Sequence, residues 1–157
     1  MSNALTVTAP DGVPFVDFTR EFDYPVEQVF RTYADPDRVS QWLGPRGYEM
    51  EVDHYDFRSG GTYAYTHIDP SGEKYQFRGS LHTVRENEIA IQTFEFLGFP
   101  DVVSIETLRF EDLGAGRTRL TGHSVYPSLE ARDGMVSSGM ESGMADGFDR
   151  LEELLAQ

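Results

Sequence analysis

The sequence predicts an α+β fold in which one antiparallel sheet packs against a long C-terminal helix. Three observations support this prediction: an apolar stripe at helical spacing near the end of the chain, six consecutive strand-like segments with short turns, and a length of 157 residues, which suits one domain over 1–157. Consecutive strands joined by short turns pair antiparallel, and such a sheet buries one face. The C-terminal helix is the only segment long enough to cover that face.

The C-terminal helix is predicted over residues 137–157. Ser138 and Glu141 have the spacing of a capping box, so we expect the helix to begin at Ser138. Its apolar residues recur at spacings of four, four, three and four, which places them on one helical face. They are Met140, Met144, Phe148, Leu151 and Leu155.

A column of glycines runs beside this apolar stripe and consists of Gly139, Gly143 and Gly147. Each glycine costs about 1 kcal/mol relative to alanine in a helix interior. A helix that tolerates this cost needs little bulk on that side. We therefore expect the column to let the helix lie close to one edge of the sheet, while the methionines leave adaptable space.

The first part of the chain predicts one strand and two short helices. Residues 1–14 are expected to form a loose arm, and residues 15–23 alternate as a strand with one buried face. A proline opens the helix over 25–34, and an Asp-Pro pair opens the second, at about 36–42.

Six strands follow. In the first of them Met50 lies on the apolar parity, opposite a row of acids, and the same parity directs His54 and Asp56 inward. The fourth and fifth strands carry apolar residues on both parities, so their inward faces stay open. The strands are predicted at 48–57, 62–68, 74–85, 89–97, 102–112 and 117–126.

Aromatic residues and a few polar groups share the predicted inner face, which is the pattern of a cavity for a small, mainly apolar molecule. An alternative is that the polar groups only bond to each other and to water at a cavity rim. The predicted cavity-lining residues are Trp42, Met50, His54, Tyr63, Tyr65, His67, Phe77, Met140, Met144 and Phe148.

Arg20 falls on the apolar parity of its strand, between two phenylalanines. One interpretation is a guanidinium that reaches outward to water from the end of the strand. The other is a partly buried cation that needs a carboxylate partner. Because Asp56 is also expected to point inward, we predict an ion pair or a water-bridged pair between Arg20 and Asp56.

Composition excludes several classes of function. Thirteen basic and 27 acidic residues give a formal charge of −14, which argues against binding to nucleic acid or to anionic membranes. The chain has no cysteine, and its four histidines lack the spacing of helical metal ligands, so we expect no metal site and no cofactor. Without a leader or an 18-residue apolar run, we expect a cytoplasmic protein, either monomer or homodimer.

Local motifs add a family resemblance over about residues 15–155. The stretch FTREFDYPVEQVFRTYADPDRVSQWLGP at 18–45 ends in Trp-x-Gly-Pro, and residues 56–61 read Asp-x-Arg-x-Gly-Gly. With Gly79 and the Gly143-Met144 pair, these features resemble the START-like, or SRPBCC, superfamily. Within it they resemble the family of the heat-shock-protein-90 ATPase activator C-terminal domain and its bacterial relatives.

The resemblance implies a helix-grip fold, in which a curved sheet of about seven strands wraps around the C-terminal helix and leaves a deep cavity between them. It also implies that members are cavity proteins. Relatives often carry Gly-Trp where this chain has Gly143-Met144, so the smaller, flexible methionine is expected to enlarge the cavity.

Two other functions stay open. A cyclase or dehydratase acting on an aromatic or polyketide-like substrate could use His54 as a base, with Tyr63 or Arg20 stabilising an enolate. A chaperone-interacting co-regulator is suggested by the family alone. The sequence contains no nucleophile motif, phosphate loop or cofactor fingerprint, so we assign no catalytic residue.

Overall fold

A computed structural model describes residues 3–157 as an eight-stranded antiparallel sheet with four helices. In chain order the elements are β1 (Thr6–Thr8), β2 (Phe15–Phe22), α1 (Val26–Ala34), α2 (Pro36–Val39), β3 (Glu49–Tyr55), β4 (Thr62–Ile68), β5 (Lys74–Arg85), β6 (Ile89–Phe96), β7 (Val103–Gly114), β8 (Arg117–Val125), α3 (Leu129–Ser137) and α4 (Met140–Leu155). The strand order is β1-β2-β8-β7-β6-β5-β4-β3, so β3 to β8 form the predicted meander. The predicted α+β class is therefore confirmed.

The eighth strand, β1, lies in the segment predicted to be a loose arm. Thr6 lies opposite Thr19 and Thr8 opposite Asp17, which adds β1 to the edge of the sheet. That prediction is wrong for these residues, and residues 1 and 2 lie outside the described part of the chain. The free backbone groups of β2 offer an edge, and a Thr-Val-Thr run suits pairing there.

A β-bulge in β3 reverses the predicted side-chain parity. The pairing with β4 is regular up to Val52 and then shifts register before His54. One extra residue moves every following side chain to the opposite face. His54 and Asp56 are therefore exposed, contrary to the prediction, while Tyr55 and Phe57 turn inward and stack on each other.

The inward face of β7, left open by the sequence, is settled by the packing. Leu108 and Phe110 are buried in the core and Glu106 shares their face. Val103 and Ile105 point to the outer face, with 39% and 54% of their surfaces exposed. The sheet therefore brings a carboxyl group onto its inner side.

The predicted C-terminal helix is divided between α3 and α4. Gly139 has φ of 87° in the left-handed region and precedes Met140, the first residue of α4. Ser138 is the C-cap residue of α3, and its hydroxyl donates to the carbonyl oxygen of Met135 at 2.6 Å. The predicted capping box is wrong because the left-handed glycine interrupts the helix before Glu141 can complete it.

Two of the three glycines in the predicted column face a neighbouring segment at ordinary van der Waals distance, and that segment is not the sheet edge. A Cβ atom on Gly147 would lie 3.4 Å from the carbonyl oxygen of Trp42 and 3.6 Å from the amide nitrogen of Gly44. A Cβ atom on Gly143 would lie 3.5 Å from Pro45. The helix therefore lies against the Trp-Leu-Gly-Pro loop after α2, and the sheet-edge prediction is wrong.

Phe148 carries the contact between α4 and the rest of the core. Its ring centroid lies 5.3 Å from that of Phe18, 6.0 Å from that of Phe22 and 5.9 Å from that of Trp42. A fully buried Leu151 lies one turn further on. Within residues 3–157, every helix is too short or too polar to cross a membrane.

Candidate functional site

A cavity of about 340 Å³ lies between the inner face of the sheet and α4. Its walls come from the strands, the loop after α2 and the first half of α4. Its volume falls within the range of small-molecule sites. The predicted residues that line it are Trp42, Tyr63, Tyr65, His67, Phe77, Met140, Met144 and Phe148.

Three other predicted residues lie outside the cavity. Met50 is partly buried and packs against the core clusters, but it does not line the space. His54 is exposed because of the bulge in β3. Asp56 is exposed and forms an ion pair with Arg58 at 2.8 Å, so the predicted pair with Arg20 is wrong.

Arg20 is buried, with 3% of its surface exposed, and its carboxylate partners come from α4. Its guanidinium donates to Asp149 at 3.2 Å and to Glu152 at 3.0 Å. The guanidinium carbon also lies 5.3 Å from the ring centroid of Phe22. The buried-cation interpretation is thus confirmed, and this cation ties β2 to the helix rather than facing the cavity.

The loop after α2 forms a rigid wall of the cavity. Trp42 donates its indole N–H to the carbonyl oxygen of Thr32 at 2.8 Å. From α4, Arg150 donates to three carbonyl oxygens of the loop at 2.9, 3.2 and 3.3 Å. Gly44 has φ of 101°, and a Cβ atom there would lie 2.7 Å from the ring of His67. Glycine is therefore required by both conformation and space.

His67 is a neutral imidazole at one end of the cavity. Its ring centroid lies 5.1 Å from that of Tyr65 and 5.4 Å from that of Phe77. Burial lowers the pKa of His67 to about 4, against the smaller opposing effect of a hydrogen bond to the backbone of Glu49. Its Nδ1 atom is buried and has no hydrogen-bond partner within residues 3–157.

Glu106 is the cavity residue that the sequence left undecided. Gln92 and Ser124 lie directly opposite it on the neighbouring strands. Gln92 Nε2 donates to Glu106 Oε1 at 3.0 Å, and the neighbouring hydroxyl of Ser124 also favours the charged carboxylate. The surrounding protein buries the carboxyl group of Glu106, and this burial raises its pKa. Part of the Glu106 side chain still borders the empty cavity. The alternation of Leu108 and Phe110 was the signal that could have found it.

Tyrosines form much of the wall between these two groups. Tyr63 donates its hydroxyl to the carbonyl oxygen of Thr93 at 2.6 Å, and its ring lies where a side chain on Gly79 would stand. Its ring stacks on Tyr65 with centroids 5.9 Å apart. Burial raises the pKa of both hydroxyls, so they stay protonated and act as neutral polar groups.

The arrangement supports binding better than proton transfer. His67 lies on β4 and Glu106 on β7, with two strands between them, which places their backbones roughly 14 Å apart at the usual strand spacing. Within residues 3–157, neither side chain is a hydrogen-bond partner of the other, so the structure shows no direct acid–base pair between them. The described part of the chain also contains no group of three or more His, Asp or Glu residues that could hold a metal ion.

The fold and the cavity define a helix-grip protein, in which a sheet and a C-terminal helix enclose a cavity. Residues 23–156 match the model of the family described as Activator of Hsp90 ATPase homolog 1-like protein. The chain belongs to this family, and the resemblance predicted from its motifs is confirmed.

Solved structures agree with this assignment. A protein from Arthrobacter aurescens is 25% identical, with a TM-score of 0.88 over 96% of this chain and 91% of its own. Protein Ms6760 from Mycobacterium smegmatis is 28% identical, with a TM-score of 0.86 over 97% of both chains. DynU16, from the dynemicin biosynthetic locus, is 23% identical, with a TM-score of 0.70 over 94% of this chain and 48% of its own. No curated protein matches the sequence.

Proposed function

We propose that this protein binds a small, mainly apolar molecule in the cavity between the sheet and α4. The observation that carries the proposal is the cavity itself: about 340 Å³, walled by aromatic rings and methionines, with a few separated polar groups. That combination is typical of small-molecule sites, where apolar walls supply affinity and a few polar groups fix orientation.

The alternatives have less support. The cyclase or dehydratase hypothesis placed His54 in the cavity, and His54 is exposed. The likeness to DynU16 supports a shared fold only, because its sequence identity is low. A chaperone-interacting module would be expected to fill its interior with side chains, whereas this interior is open.

The helix side of the cavity is suited to ligands of varied shape. Met140 and Met144 line it with flexible thioether side chains, and the hydroxyl of Tyr126 donates to the Met140 sulfur at 3.8 Å.

Two related proposals concern the molecule as a whole. A cytoplasmic location and a monomer or homodimer stay predictions, which cell fractionation and analytical ultracentrifugation would test.

The proposal is tested by filling the cavity. Titration with the neutral fluorophore N-phenyl-1-naphthylamine should give saturable enhancement of fluorescence, and Met144→Trp should weaken its binding by about tenfold or more because the larger ring occupies the space. Val136→Trp is the matched control, since it adds the same ring at an exposed position of α3. Native mass spectrometry of protein purified from its own host should show a retained small molecule.

The proposal fails if the wild-type protein does not bind this fluorophore and retains no small molecule. Unchanged affinity of a folded Met144→Trp protein, verified by circular dichroism, would instead place binding elsewhere on the molecule. Weakening by both tryptophan variants alike would point to a general effect on folding.

A further inference from the structure

We propose that the ligand of this cavity is an amphipathic cation, whose apolar body lies among the aromatic rings and whose single basic nitrogen pairs with Glu106. This inference rests on the proposed binding function and specifies the chemical class of the ligand. It is argued from the partners of the carboxyl group, the rings around it and the charge of the chain.

Among residues 3–157, the carboxyl group of Glu106 has no cationic partner. Gln92 donates its amide N–H to Glu106, and the adjacent hydroxyl of Ser124 is also neutral. Neither lysine nor arginine of these residues lines the cavity, and His67 is neutral there. His123, the second histidine at the cavity, lies with its Nδ1 atom 2.6 Å from a carboxylate oxygen of Asp17 and so has its own acidic partner. A buried carboxylate is costly without a partner of opposite charge, so a cationic ligand would stabilise it more than a neutral one.

The donors around Glu106 also favour its role as an acceptor. Gln92 points its NH₂ group at the carboxyl oxygen, at 3.0 Å, and so holds the acidic side chain towards the cavity. A carboxylate that accepts from neutral donors can still accept a charge-assisted hydrogen bond, which is stronger than a neutral one. An ammonium group in the cavity would supply that bond.

Several tyrosines lie close enough to Glu106 for its charge to raise the pKa of their hydroxyls. Burial is the main cause that raises the pKa of Tyr63, Tyr65 and Tyr126, and the neighbouring charge of Glu106 is the next. Glu106 acts in the same direction on the pKa of Tyr33. Aromatic faces carry negative quadrupole charge and attract cations. The rings around the carboxyl group therefore favour the same sign of ligand charge.

The overall charge of the chain points the same way. A formal charge of −14 raises the local concentration of small cations around the protein and lowers that of anions. An anionic ligand such as a fatty acid would have to approach this surface and then enter a cavity that already contains a carboxyl group. A neutral ligand that accepts a hydrogen bond from a protonated Glu106 is the remaining alternative, and the experiment separates it.

Three probes of one shape decide between these classes: naphthalen-2-ylmethylamine, naphthalen-2-ylmethanol and 2-naphthoate, which are cationic, neutral and anionic at neutral pH. We expect the amine to bind about tenfold or more tightly than the alcohol, and 2-naphthoate to bind most weakly. Glu106→Gln should remove the advantage of the amine and leave the affinity for the alcohol within about twofold. Glu86→Gln, the same change at an exposed position, should preserve the order of the three probes.

A second measurement uses the wild-type protein alone. Calorimetric titration with the amine, in buffers of different ionisation enthalpy and at a series of pH values from about 4 to 8, should show proton release wherever Glu106 is protonated in the free protein, because a cation at Glu106 favours its charged form. The alcohol should release none. This measurement decides the question even if Glu106→Gln does not fold.

The outcomes separate the two proposals. Failure of all three probes to bind a protein that binds N-phenyl-1-naphthylamine would retain the apolar-ligand cavity and overturn the cationic class, whereas failure of that fluorophore as well, with no retained small molecule, would remove the proposed function itself. Binding of the alcohol as tightly as the amine, or proton uptake with the amine, would retain the apolar-ligand cavity and overturn the cationic class. Equal loss of amine affinity in Glu86→Gln and Glu106→Gln would attribute the preference to surface charge and overturn the role of Glu106.

Discussion

An imidazole lies at one end of the cavity and a carboxyl group at the other, and burial favours the neutral form of both. At the His67 end, the imidazole is packed between aromatic rings and lies directly over Gly44. At the Glu106 end, the carboxyl group is held by a hydrogen bond from the neutral amide of Gln92 and borders empty space.

The difference separates a structural group from a binding group. His67 fills its place in a tight wall, where any change of volume or charge disturbs the packing. Glu106 is held in position by a hydrogen bond but has no cationic partner within residues 3–157, and the space beside it is free for a ligand. Perturbing each end in turn should therefore give effects of different size and opposite pH dependence.

The largest effect is expected from Gly44→Ala. Alanine at position 44 would have to adopt the left-handed backbone conformation of Gly44. Its Cβ atom would also lie 2.7 Å from the ring of His67. The backbone conformation costs about 1 to 2 kcal/mol and the overpacking about 1 to 3 kcal/mol more. We expect a loss of about 4 kcal/mol in the free energy of unfolding, measured by urea denaturation.

Gly72→Ala is the matched control for this prediction. Gly72 has φ of 91° and open space around its Cβ position, so only the backbone cost applies. A loss of about 1 to 2 kcal/mol is expected there. Equal losses in the two variants would show that contact with His67 adds nothing, and that the His67 end is not tightly packed.

The second prediction concerns acid sensitivity at the His67 end. The folded pKa of His67 lies at about 4, below its ordinary value of 6.5, so the unfolded chain binds a proton that the folded chain lacks between those values. The stabilising contribution is full above pH 6.5 and is lost as the pH falls towards 4. The stability advantage of wild type over His67→Gln should shrink by about 2 to 3 kcal/mol between pH 7 and pH 4.

Phe77→Leu tests whether that change belongs to the imidazole. It alters the ring that packs on His67 but removes no titratable group. Its difference in stability from wild type should stay nearly constant over the same pH range. A constant difference for His67→Gln as well would contradict the burial of a neutral histidine.

The sequence predicted the fold and eight residues of the cavity wall, because strand alternation and helical spacing repeat over many residues. The eight predicted residues that line the cavity lie on regular segments or in the Trp-Leu-Gly-Pro loop. Those patterns report which face is buried, and burial on this fold means proximity to the cavity.

The failures occur where one residue interrupts a repeat. The bulge before His54 reverses the parity of the residues after it, and the left-handed Gly139 divides a helix that has continuous apolar spacing. Neither the bulge nor the left-handed glycine changes the residue pattern enough to be predicted from the sequence. Glu106 was left undecided for a related reason, since Val103 and Ile105 place apolar residues on the exposed face of the same strand.

The smallest effect is expected at the Glu106 end, and its sign is opposite. The folded pKa of Glu106 is raised by burial, so its contribution to stability is full below the unfolded pKa and is lost as the pH rises through the folded pKa. Glu106→Gln keeps an oxygen for Gln92 and removes the charge. It should therefore stabilise the ligand-free protein by about 1 kcal/mol at pH 7.5 and by almost nothing at pH 4.

Urea denaturation at the two pH values measures this gain, with Glu86→Gln as the control for the loss of one negative charge from an acidic chain. A stabilising change that weakens ligand binding is the signature of a group retained for function rather than for folding. If Glu106→Gln instead destabilises the protein at both pH values, the carboxylate belongs to the packing, as His67 does. The distinction between the two ends of the cavity would then disappear.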